Sequence, residues 1–152
     1  MTTQIFSILL AEDNPRDVEL TLAALAEHNL ANEVIVTGDG AEALDYLYCR
    51  GRYQSRPPGN PAVILLDLKM PKVDGLEVLR QVKQDEKLKS VPVVMLTSSR
   101  EEPDLMRAYK LGVNAYVVKP VEFQSFLDAV KRLGIFWAIL NEPPPGSTHR
   151  ER

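Results

Sequence analysis

The sequence predicts an α/β fold, a parallel sheet of five strands covered by helices on both faces. Three observations predict it. Short apolar runs alternate with amphipathic stretches along the whole chain, as repeated βα units require. Runs such as Val63-Ile64-Leu65-Leu66 and Val93-Val94-Met95-Leu96 do not alternate with polar residues, which fits strands buried on both faces. The length, 152 residues, accommodates one domain with a full core and not two.

The elements follow in order. Strands are expected at Ile5 to Ala11, Glu33 to Thr37, Ala62 to Asp67, Val91 to Leu96 and Ala115 to Val118. Asn14 suits the cap of the first helix, with Pro15 in its first turn, where a missing N–H costs nothing. Val18, Leu22 and Leu25 then share one face. Further helices are expected from Ala41 to Tyr48, Gly75 to Asp85, Pro103 to Leu111 and from Val121 onward. Leu76, Leu79 and Val82 form the third stripe; Leu105, Ala108 and Leu111 form the fourth; Phe123, Phe126, Leu127 and Val130 form the fifth. The segment Cys49 to Pro61, rich in Arg, Pro and Gly, reads as an exposed loop, with Arg50, Arg52 and Arg56 solvated. Two regions are expected: 1–133 as the domain, and 134–152 as an apolar arm running into a polar tail.

Composition narrows the function. A net charge of -3 leaves no basic face for nucleic acid. The one cysteine, Cys49, cannot form an internal disulfide. No apolar run approaches the ~20 residues of a membrane span. The N-terminus has no basic start with a small-residue cleavage site. The chain is expected to be soluble and cytoplasmic, with no membrane partner.

The chemistry gathers at the strand ends. The first strand runs into Glu12-Asp13, the third ends in Asp67, the fourth is followed by Thr97 and the fifth by Lys119. In an open parallel sheet the carboxyl ends share one edge, where ligands bind. Three carboxylates at a separation of about 5 Å and an effective dielectric of about 20 repel by roughly 3 kcal/mol per pair. A hard divalent cation relieves that repulsion, and magnesium suits carboxylates combined with phosphate and water. Asp67 is then a candidate nucleophile for an acyl phosphate, with Lys119 and the Thr97 hydroxyl facing the phosphoryl oxygens. Any one acidic residue after a strand is most simply a helix cap, but four strand ends delivering reactive groups together are hard to explain by capping alone.

Glu12-Asp13, Asp67 with Met70-Pro71 and Gly75, Thr97-Ser98 and Lys119-Pro120 resemble the receiver domains of two-component signalling, over residues 5 to about 133. The resemblance implies a flavodoxin-like (βα)5 sheet in the order 2-1-3-4-5. It implies Mg2+, with Mn2+ as a substitute, bound by Glu12, Asp13, Asp67 and the backbone carbonyl of Lys69. Asp67 would accept phosphate from a histidine kinase. Thr97, Ser98 and Lys119 would bind the phosphoryl group, with a cis Lys119-Pro120 bond behind the lysine. Thr97 and Tyr116 would form the switch, Tyr116 turning inward as Thr97 moves. Lys69 and Ser99 hold the flanking positions that tune dephosphorylation. The long loop before the third strand, and the ending Phe136-Trp137 with Leu140-Asn141-Glu142-Pro143, resemble the small receivers partnered with bacterial and cyanobacterial phytochrome kinases. A chemotaxis-type receiver is the alternative.

Rival readings are weaker. Gly38-Asp39-Gly40-Ala41-Glu42-Ala43 imitates a dinucleotide fingerprint, but it follows the second strand and lacks the distal acidic residue. Its glycines are expected to turn the chain into a helix. An aspartyl-phosphate phosphatase needs an aspartate two residues past the nucleophile, where Lys69 stands. A receiver joined to a DNA-binding domain needs more chain than the roughly thirty residues after Val121. His28 and His149 lack the context of a donor histidine. Ile135 to Leu140 is apolar on every side, so Ile135, Phe136, Trp137 and Leu140 are expected to reach a second copy and build a homodimer. Folding back on its own domain is the alternative.

Overall fold

The structure, a computed structural model, describes residues 7–26, 33–99 and 101–133. Five strands, β1 (Ser7–Ala11), β2 (Glu33–Thr37), β3 (Val63–Asp67), β4 (Val93–Thr97) and β5 (Ala115–Val118), form one sheet in the order β2-β1-β3-β4-β5. All four pairings are parallel, so every strand points its carboxyl end the same way. The helices are α1 (Pro15–Ala26), α2 (Gly40–Leu47), α3 (Gly75–Gln84), α4 (Pro103–Lys110) and α5 (Phe123–Leu133). This is the predicted flavodoxin-like architecture, with strand order 2-1-3-4-5.

The unbroken apolar runs have the predicted cause. Val63 to Leu66 and Val93 to Leu96 are wholly buried, because alternate residues feed two cores on opposite sheet faces. Leu9, Ile64, Leu66, Val93 and Met95 pack with α2, α3 and α4. Ile8, Leu10, Leu65, Val94 and Leu96 pack with α1 and α5, around Phe126. Side-chain caps set three helix starts: Asn14 Oδ1 accepts from Arg16 N and Asp17 N, Asp39 from Glu42 N, and Asp74 from Glu77 N.

Boundaries moved by one or two residues. β4 begins at Val93, since Pro92 has no N–H for the ladder, and it continues to Thr97. Ile5 and Phe6 lie outside the described residues. The buried stripes are also rotated: Thr21 and Leu25 are the buried residues of α1, and Val78 joins Leu79 and Val82 in α3, while Leu76 is half-buried. In α5, Phe126, Ala129 and Val130 are buried, with Phe123 and Leu127 only partly so.

One expectation is corrected. The basic loop is not simply solvated. A short 3-10 turn spans Gly51–Tyr53. Arg56 Nε donates to Tyr46 O at 2.7 Å, its guanidinium sits 4.0 Å from the Tyr46 ring centre, and its Nη1 donates to the carbonyls of Pro57 and Gly59. Fork geometry and a flat charged face let one arginine pin the loop onto α2. The glycines at the dinucleotide look-alike do lead the chain into a helix, Gly38 in the bend before α2 and Gly40 as its first residue, and neither has positive φ. A Cβ on Gly40 would lie 1.8 Å from the Val73 carbonyl oxygen, so that glycine is required by close approach of α2 to the β3–α3 loop.

Candidate functional site

The β3–α3 connection carries Asp67 to the carboxyl edge and holds it there. A Cβ on Gly75 would lie 2.2 Å from the Asp67 carbonyl oxygen and 2.9 Å from Leu68 Cα. Only glycine lets α3 start against the end of β3, and Gly75 N donates to Leu68 O at 3.0 Å. Glu12 and Asp13 leave β1 one strand away. Glu12 N donates to Thr37 O, and Glu12 Oε2 accepts from Asn14 N at 3.1 Å, so the turn into α1 also orients the carboxylate.

One carboxylate oxygen from each of Glu12, Asp13 and Asp67 lies within 4.8 Å of the others. Glu12 is 1% exposed and Asp67 6%, while Asp13 faces solvent. Burial is the main cause that pushes the Glu12 carboxyl up to about 7, helped by the charge of Asp67 and opposed by the Asn14 N–H and by Lys119. Burial also raises Asp67, against the pull of Lys119. A buried pair of carboxylates that resists ionisation is what an all-oxygen divalent cation site looks like before its charge is balanced, and the donor set fits such a cation.

Lys119 directly follows β5, and the Lys119–Pro120 bond after it is cis. Its ammonium lies 2.9 Å from Asp17 Oδ2, 3.3 Å from Glu12 Oε1 and 3.3 Å from Asp67 Oδ1. Burial alone would lower its pKa. The Asp17 hydrogen bond and the charges of Asp67 and Glu12 reverse that and hold it above its ordinary value. Asp17 was not among the residues that the sequence placed at this site; three carboxylates, one lysine and a divalent cation alone would sum to zero charge. With Asp17 included, the cluster is more acidic by one charge. The signal was available: Asp17 lies in the first turn of the helix that leaves Glu12-Asp13.

These groups line a cleft of about 210 Å3, together with Asn14, Leu68, Lys69, Ser98, Thr97 and Glu102. Thr97 is buried and its hydroxyl donates to Ser99 O at 3.0 Å, while Ser98 is exposed. The ammonium of Lys69 pairs with Glu102 Oε2 at 3.6 Å across the mouth; Glu102 is a second residue the sequence reading missed. Tyr116 stands apart from the cleft. Its ring packs edge-on to Tyr109 at 6.4 Å and lines a groove with Pro103, Leu105 and Met106. Ile135, Phe136, Trp137 and Leu140 lie outside the described residues. Among the described residues no helix is long and apolar enough to cross a membrane.

Comparison with known proteins agrees with this geometry. Residues 8–131 match the family model for the response regulator receiver domain. The chain is 39% identical over 139 residues to the probable methanogenesis regulatory protein FilR2 of Methanothrix harundinacea, covering 91% of this chain and 88% of that one. It is 39% identical over 130 residues to response regulator Rcp1 of Synechocystis, covering 86% and 87%. The solved Mn2+-bound form of Rcp1 superposes with a TM-score of 0.72 at 37% identity, over 93% of this chain and 99% of that one. The bacteriophytochrome response regulator RtBRR superposes with a TM-score of 0.84 at 64% identity, over 95% of this chain and 87% of that one.

Proposed function

The chain belongs to the response regulator receiver family, and from that premise we propose that Asp67 is its phosphoacceptor, supplied by a phytochrome-linked histidine kinase. The observation that carries the reading is the convergence of Glu12, Asp13, Asp67, Thr97 and Lys119, from four strand ends, on one cleft. A carboxylate oxygen of Asp67 forms the new P–O bond while the P–N bond of the donor's phosphohistidine breaks and the imidazole leaves. Glu12, Asp13 and Asp67, with the Lys69 carbonyl, would hold Mg2+. Bound there, the cation neutralises phosphoryl oxygens and orients them. Lys119 pairs with another phosphoryl oxygen. The Thr97 hydroxyl exchanges its Ser99 partner for a third, and Ser98 lines the approach. Tyr116, on the same strand as Val118 before Lys119, reports the change at the α4–β5 face. No step requires turnover of a separate substrate, so the output is a protein contact.

The phytochrome assignment is supported by the names of relatives that this chain resembles over nearly its whole length, including one at 64% identity. A homodimer fits the apolar segment Ile135, Phe136, Trp137 and Leu140, which offers more apolar surface than one buried face can use. The test of the central reading is labelling by a phosphorylated histidine kinase or by acetyl phosphate. Wild type should take up a hydroxylamine-labile phosphoryl group and Asp67→Asn should not. Equal labelling of Asp67→Asn would move the acceptor elsewhere.

A further inference from the structure

The geometry points to Asp17 as the positioning residue of Lys119, the carboxylate that keeps the ammonium aimed at the phosphoryl position while its other two partners are occupied. This deepens the phosphoacceptor reading and rests on it. Three carboxylates surround Lys119 Nζ, and Asp17 makes the shortest contact, 2.9 Å against 3.3 Å for both Glu12 and Asp67. The three differ in what else claims them. Glu12 and Asp67 belong to the cluster of oxygens suited to a divalent cation, and Asp17 does not. Charge donated to a cation is no longer available to the lysine, and the Asp67 oxygen that becomes bonded to phosphorus in the acyl phosphate is lost as a full anion. Asp17 then remains as the one of the three carboxylates at Nζ that neither the cation nor the phosphoryl group claims.

Asp17 is also fixed well enough to aim something. It lies in the first turn of α1, where its own N–H is held by the Asn14 cap at 3.2 Å. Lys119, by contrast, ends a four-carbon stem whose freedom is costly to remove, so a charge-assisted hydrogen bond at its tip decides where the ammonium points. The Lys119 side chain is 17% exposed, leaving a route outward if that hold is lost.

The experiment uses the full chain with Mg2+ and beryllofluoride, a phosphoryl mimic, titrated by calorimetry. Alongside it, the Lys119 ammonium resonance is followed in 15N-lysine-labelled protein and identified by its loss in Lys119→Arg. Asp17→Ala should weaken beryllofluoride binding roughly tenfold, the scale on which removing an outer-sphere partner acts. It should also broaden the Lys119 signal into exchange with water. Asp17→Asn, whose amide oxygen still accepts from an ammonium, should fall between wild type and Asp17→Ala in both readouts. It also serves if Asp17→Ala does not fold. Affinity in these variants equal to or tighter than wild type, or an unaltered Lys119 resonance, overturns the assignment. Failure of wild type itself to bind beryllofluoride would instead remove the phosphoacceptor reading, and this one with it.

Discussion

In metal-free protein, stability should fall as pH rises through neutrality, and Glu12 is the reason. Its carboxyl ionises near 4.5 in an unfolded chain and is pushed up to about 7 in the folded one, first by burial and then by Asp67. Between those values the folded state holds a proton that the unfolded state has released. Unfolding therefore releases protons, and raising the pH favours it. The contribution is fully present below about 4.5 and is lost as pH climbs through about 7. The raised Asp67 carboxyl acts with the same sign, and the loss belongs to the pair, which shares its proton. The gap corresponds to about 3 kcal/mol at about 1.4 kcal/mol per tenfold change. Urea unfolding with a chelator, from pH 5 to 8.5, measures it for wild type and Glu12→Gln. The difference between the two curves cancels titrating groups that interact with neither Glu12 nor Asp67. That difference should shrink by up to about 3 kcal/mol from low to high pH. Saturating Mg2+ should reverse the trend, since the cation binds the ionised carboxylates and its stabilisation grows with pH. A wild-type-minus-mutant difference flat across the window would show that Glu12 is already ionised without a cation, and would refute the reasoning.

Two further outcomes follow from packing and sequence. Gly75→Ala should cost more than about 2 kcal/mol, because the new Cβ meets backbone atoms of Asp67 and Leu68 that cannot rotate aside. It should also weaken Mg2+ binding by displacing Asp67, and urea curves within about 0.5 kcal/mol of wild type would contradict the close approach. Truncation after Lys131 should convert a dimer to a monomer in light scattering; an unchanged mass would rule out the apolar arm as the source of assembly.

Local chemistry and one topological rule determined most of this protein. Apolar runs without alternation required a parallel sheet buried on both faces. The carboxyl edge of such a sheet had to collect whatever followed each strand: Glu12, Asp13, Asp67, Thr97 and Lys119. Those are statements about neighbours in sequence, so the sequence alone carries them. Tertiary structure decided what depends on distance between elements far apart in the chain. Asp17 and Lys119, 102 residues apart, meet at 2.9 Å only because α1 starts at the edge where β5 ends. Glu102 reaches Lys69 for the same reason. Gly40 leads into α2 as expected, but its close approach to Val73 is a contact that no local pattern can reveal. Arg56, readable as a solvated charge, is spent on the carbonyl and ring of Tyr46. Periodicity specifies which face of a strand or helix is covered. Charge balance and close approach are set by what covers it, and only the folded chain brings those partners together.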